Sequence, residues 1–139
     1  MTTVPANRAD LNVLIVDDES LFQRLIKSTL GFMSVHKITI AADGKEGLQA
    51  VQANEQAGNP FNGLIVDWDM PVMDGIQFVE AFRKTDKAAV VIMVTARTSA
   101  ADFNEAKRKG ADYFFMKPLD PAMLKLRLGA AIDAALKNR

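Results

Sequence analysis

The sequence contains no cysteine, which excludes disulfides, thiolate nucleophiles and cysteine-based metal sites and suits a reducing compartment, so a cytoplasmic location is expected. No charge of one sign dominates: 17 lysines and arginines balance 17 aspartates and glutamates. Neither sign forms a run long enough for a polyanion-binding arm or an acidic tail, and nucleic acid is not an expected direct partner. No apolar run approaches the ~20 residues of a membrane span, and the opening MTTVPANRAD lacks the apolar core of a signal peptide. Neither membrane insertion nor cleaved export is expected. Internal repeats, low-complexity tracts and linkers are also missing. Residues 1–10 read as a loose lead-in and residues 11–139 as one domain. A chain of this size buries roughly two-thirds of the surface its unfolded form exposes.

What is present is alternation. Five short apolar runs occur at 12–16 (NVLIV), 37–41 (KITIA), 63–67 (GLIVD), 89–94 (AVVIMV) and 112–116 (DYFFM). Several are continuous and rich in Val and Ile, the pattern of strands buried on both faces of a parallel sheet. Between them apolar residues recur at helical spacing: Leu21, Leu25, Ile26 and Leu30; Ile76, Val79 and Phe82; Leu124, Leu128 and Ile132. Ser20, Asp74, Ser99 and Asp120 stand where helix N-caps belong, Pro121 at a first helical position and Gly110 at a helix end. Five βα units imply a doubly wound α/β domain, for which a flavodoxin-like five-stranded parallel sheet of order 2-1-3-4-5 is expected.

In such sheets ligands bind beyond the carboxyl ends of the strands. The first run leads into Asp17-Asp18-Glu19, the third ends at Asp67 before Trp68-Asp69-Met70-Pro71, the fourth at Thr95-Ala96 and the fifth at Lys117-Pro118. Carboxylates brought within ~4 Å repel by about 4 kcal/mol per pair at an effective dielectric of 20. An all-oxygen set selects a hard cation, and Mg²⁺ typically takes one or two carboxylates and shares a phosphate oxygen. The rim therefore reads as a site for Mg²⁺ and phosphate. A carboxylate can itself be the nucleophile while a lysine and a hydroxyl stabilise the phosphoryl oxygens; Asp67, Lys117 and Thr95 suit those roles.

The segments VDDES (16–20), VDWDMPVMDG (66–75), VTA (94–96) and KGADYFFMKP (109–118) resemble, in order and spacing, the signatures of response-regulator receiver domains. That resemblance implies Asp67 as phosphoacceptor, Asp18 as a direct Mg²⁺ ligand, Asp17 as a largely water-mediated one, and the backbone carbonyl of Asp69 as a further ligand. It implies that Thr95 and Lys117 contact the phosphoryl group, that Lys117-Pro118 is cis, and that Thr95 and Phe114 form the switch. The implied donor is a histidine kinase or histidine phosphotransfer protein. The implied target is a protein docking on the face of the fourth helix, fifth strand and fifth helix, the receiver being a monomer or a phosphorylation-dependent dimer.

Departures from the usual pattern lie two places after the acceptor, at Asp69, and two places after Thr95, at Arg97. By the resemblance to receivers, both positions are expected to flank the phosphoryl group and bear on its lifetime, and Arg97 can pair with Asp69 or with the phosphate. KPL replaces the commoner KPF. Met70, Met73, Phe78 and Phe82 read as packing groups, and His36, the single histidine, as a surface residue. No output domain follows the last helical run, so a regulator that acts through another protein and catalyses only its own phosphorylation and dephosphorylation is expected. Two rivals remain. Asp67-Trp68-Asp69 also fits the D-x-D of haloacid-dehalogenase-like phosphatases, and a receiver that binds without phosphorylation would keep the same fold.

Overall fold

A computed structural model describes residues 7–137. After a single 3-10 turn (Arg8–Asp10) the elements alternate strictly: β1 (Asn12–Val16), α1 (Ser20–Phe32), β2 (Lys37–Ala41), α2 (Gly44–Gln56), β3 (Gly63–Val66), α3 (Gly75–Arg83), β4 (Val90–Thr95), α4 (Ala100–Lys109), β5 (Tyr113–Met116) and α5 (Pro121–Lys137). All four strand pairings are parallel, and the sheet order is β2-β1-β3-β4-β5, as the sequence predicts. Among the described residues no helix is long and apolar enough to cross a membrane. Of the lead-in expected to be loose, residues 1–6 lie outside the described residues. Arg8 is tied to Asp133 of α5 by two hydrogen bonds of 2.9 and 2.7 Å.

The central strands β1, β3 and β4 are buried throughout and read as near-continuous apolar runs because helices cover both faces of the sheet, while the edge strands β2 and β5 are partly exposed. Successive side chains point to opposite faces. Leu14, Val16, Leu64, Val66, Val91 and Met93 pack with Val51 of α2, Ile76, Phe78, Val79 and Phe82 of α3 and Ala106 of α4. Val13, Ile15, Ile65, Ile92 and Val94 pack with Ile26 and Leu30 of α1 and Leu124, Leu128 and Ile132 of α5. Met70 and Met73 lie against the first of these clusters, and His36 is exposed.

Side-chain caps mark where α2, α3, α4 and α5 start. Asp74 and Gln77 form a reciprocal capping box at α3, Ser99 accepts the Asp102 N–H at α4, and Asp120 accepts the Met123 N–H at α5. Ser20 is a correction: it is the first residue of α1, and Glu19 holds the N-cap position with no side-chain cap bond. The Glu19 carboxylate reaches Lys117 instead. Asp43 caps α2 by accepting from Glu46 N, a D-x-x-E signature the helical pattern did not single out. Strand ends also differ slightly from the apolar runs, since β3 stops at Val66 and β5 begins at Tyr113. The Asp112 carboxylate is drawn to Val91 N and Arg83 instead.

Candidate functional site

The carboxyl ends of β1, β3 and β5 converge on Lys117. Its ammonium donates to Asp17 Oδ2 at 3.2 Å and Glu19 Oε1 at 3.2 Å, and lies 3.5 Å from Asp67 Oδ2. The Phe22 ring of α1 lies 4.1 Å from the same nitrogen. Carboxylate oxygens of Asp17, Glu19 and Asp67 fall within 4.8 Å of one another. The Lys117-Pro118 peptide is cis, as the family pattern implies.

Local backbone positions each group. Asp67 follows β3 directly, its N–H bonded to Val16 O at 2.9 Å, and its Oδ1 accepts the Trp68 N–H at 2.8 Å. Asp17 Oδ1 accepts the Glu19 N–H at 2.9 Å, turning the chain into α1, while the Gln23 side chain donates to the Asp17 carbonyl. α3 starts hard against the end of β3: a Cβ on Gly75 would stand 2.0 Å from the Asp67 carbonyl oxygen. Only glycine permits so close an approach.

Burial governs the electrostatics. Asp17 is 1% exposed and Asp67 7%. Burial pushes the Asp67 carboxyl up to about 6, opposed by the charge of Lys117 and assisted by that of Asp17. Burial likewise raises Asp17, against the Glu19 N–H and Lys117. Burial alone would lower the Lys117 ammonium, but the carboxylates of Asp17 and Asp67 outweigh it and the net shift is upward. One cation thus faces three carboxylates, two of them buried, and a further cation would relieve the excess negative charge.

The remaining sequence candidates lie around this cluster. Thr95 closes β4 with no exposed surface, and its Oγ1 accepts the Arg97 N–H at 3.3 Å. Arg97 takes the first of its two expected partners, gripping Asp69 through Nη2 at 2.8 Å and Nε at 3.2 Å. Phe114 is half-buried and meets Phe103 of α4 edge to face, centroids 5.7 Å apart. Asp18 is exposed and is not among the three clustered carboxylates, whereas Glu19, which the sequence reading left out, is. The signal was available, because alternate residues of an extended segment share a side, and Glu19 is extended at φ −92°, ψ 111°.

The model of the response regulator receiver domain matches residues 13–129. The chain belongs to this family. The receiver is 32% identical over 120 residues to the chemotaxis protein CheY1 of Helicobacter pylori, spanning 85% of this chain and 94% of that one. It is similar to a CheY-like receiver domain protein from Methanospirillum hungatei (29% identity, TM-score 0.79, 93% of this chain and 98% of that one). It is also similar to CheY in the CheX–CheY–BeF₃–Mg²⁺ complex of Borrelia burgdorferi (31% identity, TM-score 0.78, 86% and 87%). The haloacid-dehalogenase-like pattern requires D-x-D after a first strand, whereas in this receiver Asp67-Trp68-Asp69 follows β3, and Asp69 is engaged by Arg97.

Proposed function

We propose that this receiver accepts a phosphoryl group on Asp67, with Mg²⁺, from a histidine kinase or histidine phosphotransfer protein in the cytoplasm, and signals by contact with a target protein. The observation that carries this reading is the fan of Asp17, Glu19 and Asp67 around the single ammonium of Lys117. The donor set is all oxygen, which fits a hard divalent cation. Asp17, Asp67 and the Asp69 carbonyl would hold it, with Asp18 or Glu19 supplying a further carboxylate. When bound, Mg²⁺ neutralises charge on phosphoryl oxygens.

The chain's own groups divide the remaining work. Asp67, ionised at neutral pH, forms the new O–P bond as the donor's P–N bond breaks and the imidazole departs. Lys117 stays protonated, neutralises the acidic pocket and contacts the transferred group. The Thr95 hydroxyl, now an acceptor from Arg97 N, is free to donate to a phosphoryl oxygen after rotation. Output passes through α4, β5 and α5, where Phe103, Met116, Met123 and Leu126 are exposed apolar groups. The protein catalyses no reaction but its own phosphorylation and dephosphorylation.

Incubation with acetyl phosphate and Mg²⁺ tests this. The intact mass is expected to rise by one phosphoryl group, stable in acid and removed by hydroxylamine, with no rise in EDTA or in Asp67→Ala. Full labelling of Asp67→Ala overturns the assignment. Unlabelled wild type supports a receiver that binds without phosphorylation, and steady hydrolysis of p-nitrophenyl phosphate supports an enzyme.

A further inference from the structure

Arg97 touches more than the partner its position suggests. Besides Asp69, its Nη1 lies 3.5 Å from Asp102 Oδ1 in the first turn of α4. Its guanidinium carbon lies 4.4 Å from the centre of the Trp68 ring. Its backbone N–H is held by the hydroxyl of Thr95. One residue therefore joins the loop carrying the acceptor, the end of β4 and the start of α4. That start is otherwise held by the Ser99 cap, which accepts from Asp102 N at 3.1 Å through Oγ, while Ser99 O accepts from Phe103 N at 3.1 Å. Phe103 in turn packs on Phe114.

We infer that Arg97 is a charge-exchange latch that holds the first turn of α4 until Asp67 is phosphorylated. The inference rests on Asp67 being the acceptor. A phosphoryl group carries about −1.5 to −2 at neutral pH, against −1 for a carboxylate, and guanidinium binds its oxygens in a fork. Asp102 makes the longest of the three polar contacts to the guanidinium, single and without a second bond, so it is the partner given up first. Thr95 adds to the exchange. When its hydroxyl turns to the phosphoryl group, it stops accepting from Arg97 N and loosens the β4–α4 junction at the backbone as well. Release of Asp102 frees the turn that carries Phe103, and with it the packing of Phe114. The signal thus reaches α4 through a cation changing partners, in a receiver whose Phe114 has no hydroxyl to hydrogen-bond.

Beryllofluoride with Mg²⁺, a phosphoryl mimic, tests the latch in the full chain. Trp68 is the chain's one tryptophan and sits under the guanidinium, so its fluorescence reports both binding and the movement of Arg97. Asp102→Asn removes the competing carboxylate and is expected to tighten beryllofluoride binding about 2- to 5-fold, as for a partly exposed pair. In an Arg97→Ala background the same substitution is expected to change nothing. Amide exchange at residues 102 and 103 is expected to accelerate several-fold on beryllofluoride addition in wild type. In Arg97→Ala it is expected to be fast already and insensitive to the mimic. Equal tightening by Asp102→Asn with and without Arg97 shows plain charge repulsion and overturns the latch, as does α4 exchange that ignores both the mimic and Arg97→Ala. No beryllofluoride response in any variant overturns the acceptor reading itself, and the latch with it.

Discussion

Lys117 answers to three carboxylates at once, and two of them are buried where an uncompensated charge is expensive. Asp67 shows the cost directly. Its folded pKa of about 6 stands above the unfolded value of 3.8. The stability tied to its protonated form is therefore fully present below the unfolded pKa and lost as pH rises through the folded one. In EDTA the melting temperature is expected to carry a falling contribution between about pH 4 and about pH 7, worth about 1–3 kcal/mol. Asp67→Asn is expected to remove that slope and to melt higher than wild type at neutral pH. Thermal denaturation across the pH series checks it, and an unchanged slope in Asp67→Asn contradicts it. The burial that produces the shift is a tertiary fact. The sequence told that carboxylates and a lysine meet at one rim, but not that Glu19 would reach Lys117 or that Arg97 would add Asp102 to Asp69. Each of those choices depends on side chains brought together across the sheet.

The loop between β3 and α3 stores strain a few residues after Asp67. Val72 adopts φ 71° and is 77% exposed, a left-handed conformation that is costly for a β-branched residue and brings it no packing in return. Val72→Gly is expected to raise the urea midpoint, with a gain of about 0.5–1 kcal/mol after the extra entropy of glycine in the unfolded chain. A lower midpoint contradicts the strain. Gly75 at the far end of the loop behaves oppositely. Gly75→Ala puts a methyl into the Asp67 carbonyl oxygen and the Trp68 Cα and is expected to cost about 3 kcal/mol or more, with slower phosphoryl uptake because the end of β3 must shift. Elements of this kind were readable where local chemistry decides them. The central strands are Val- and Ile-rich runs, and Asp74, Ser99, Asp120 and Gly110 mark helix ends. Ser20 misled because the chain, turned by the Asp17 bond to the Glu19 N–H, enters α1 one residue earlier, at a Glu19 whose carboxylate goes to Lys117 and makes no cap bond.

At the scale of the whole molecule, the order β2-β1-β3-β4-β5 brings the ends of β1, β3, β4 and β5 to one rim while apolar clusters on both faces hold the strands in register. The rim therefore collects charge that the rest of the domain tolerates only when it is compensated. Mg²⁺ at about 100 times its dissociation constant is expected to add about 2.7 kcal/mol of stability, a rise of roughly 5–10 °C in melting temperature for a domain of this size. No shift at neutral pH, by calorimetry with and without EDTA, contradicts a metal site at the rim. The covalent chemistry is tested most directly by trapping. An acyl phosphate formed from acetyl phosphate is reduced by borohydride to an alcohol, so aspartate becomes homoserine at the position that carried the phosphoryl group. Peptide mapping is predicted to find homoserine at position 67, dependent on Mg²⁺ and absent when Lys117 is replaced by methionine. Homoserine at Asp17 or Asp18 with Asp67 intact, or its formation at position 67 without Mg²⁺, contradicts the account.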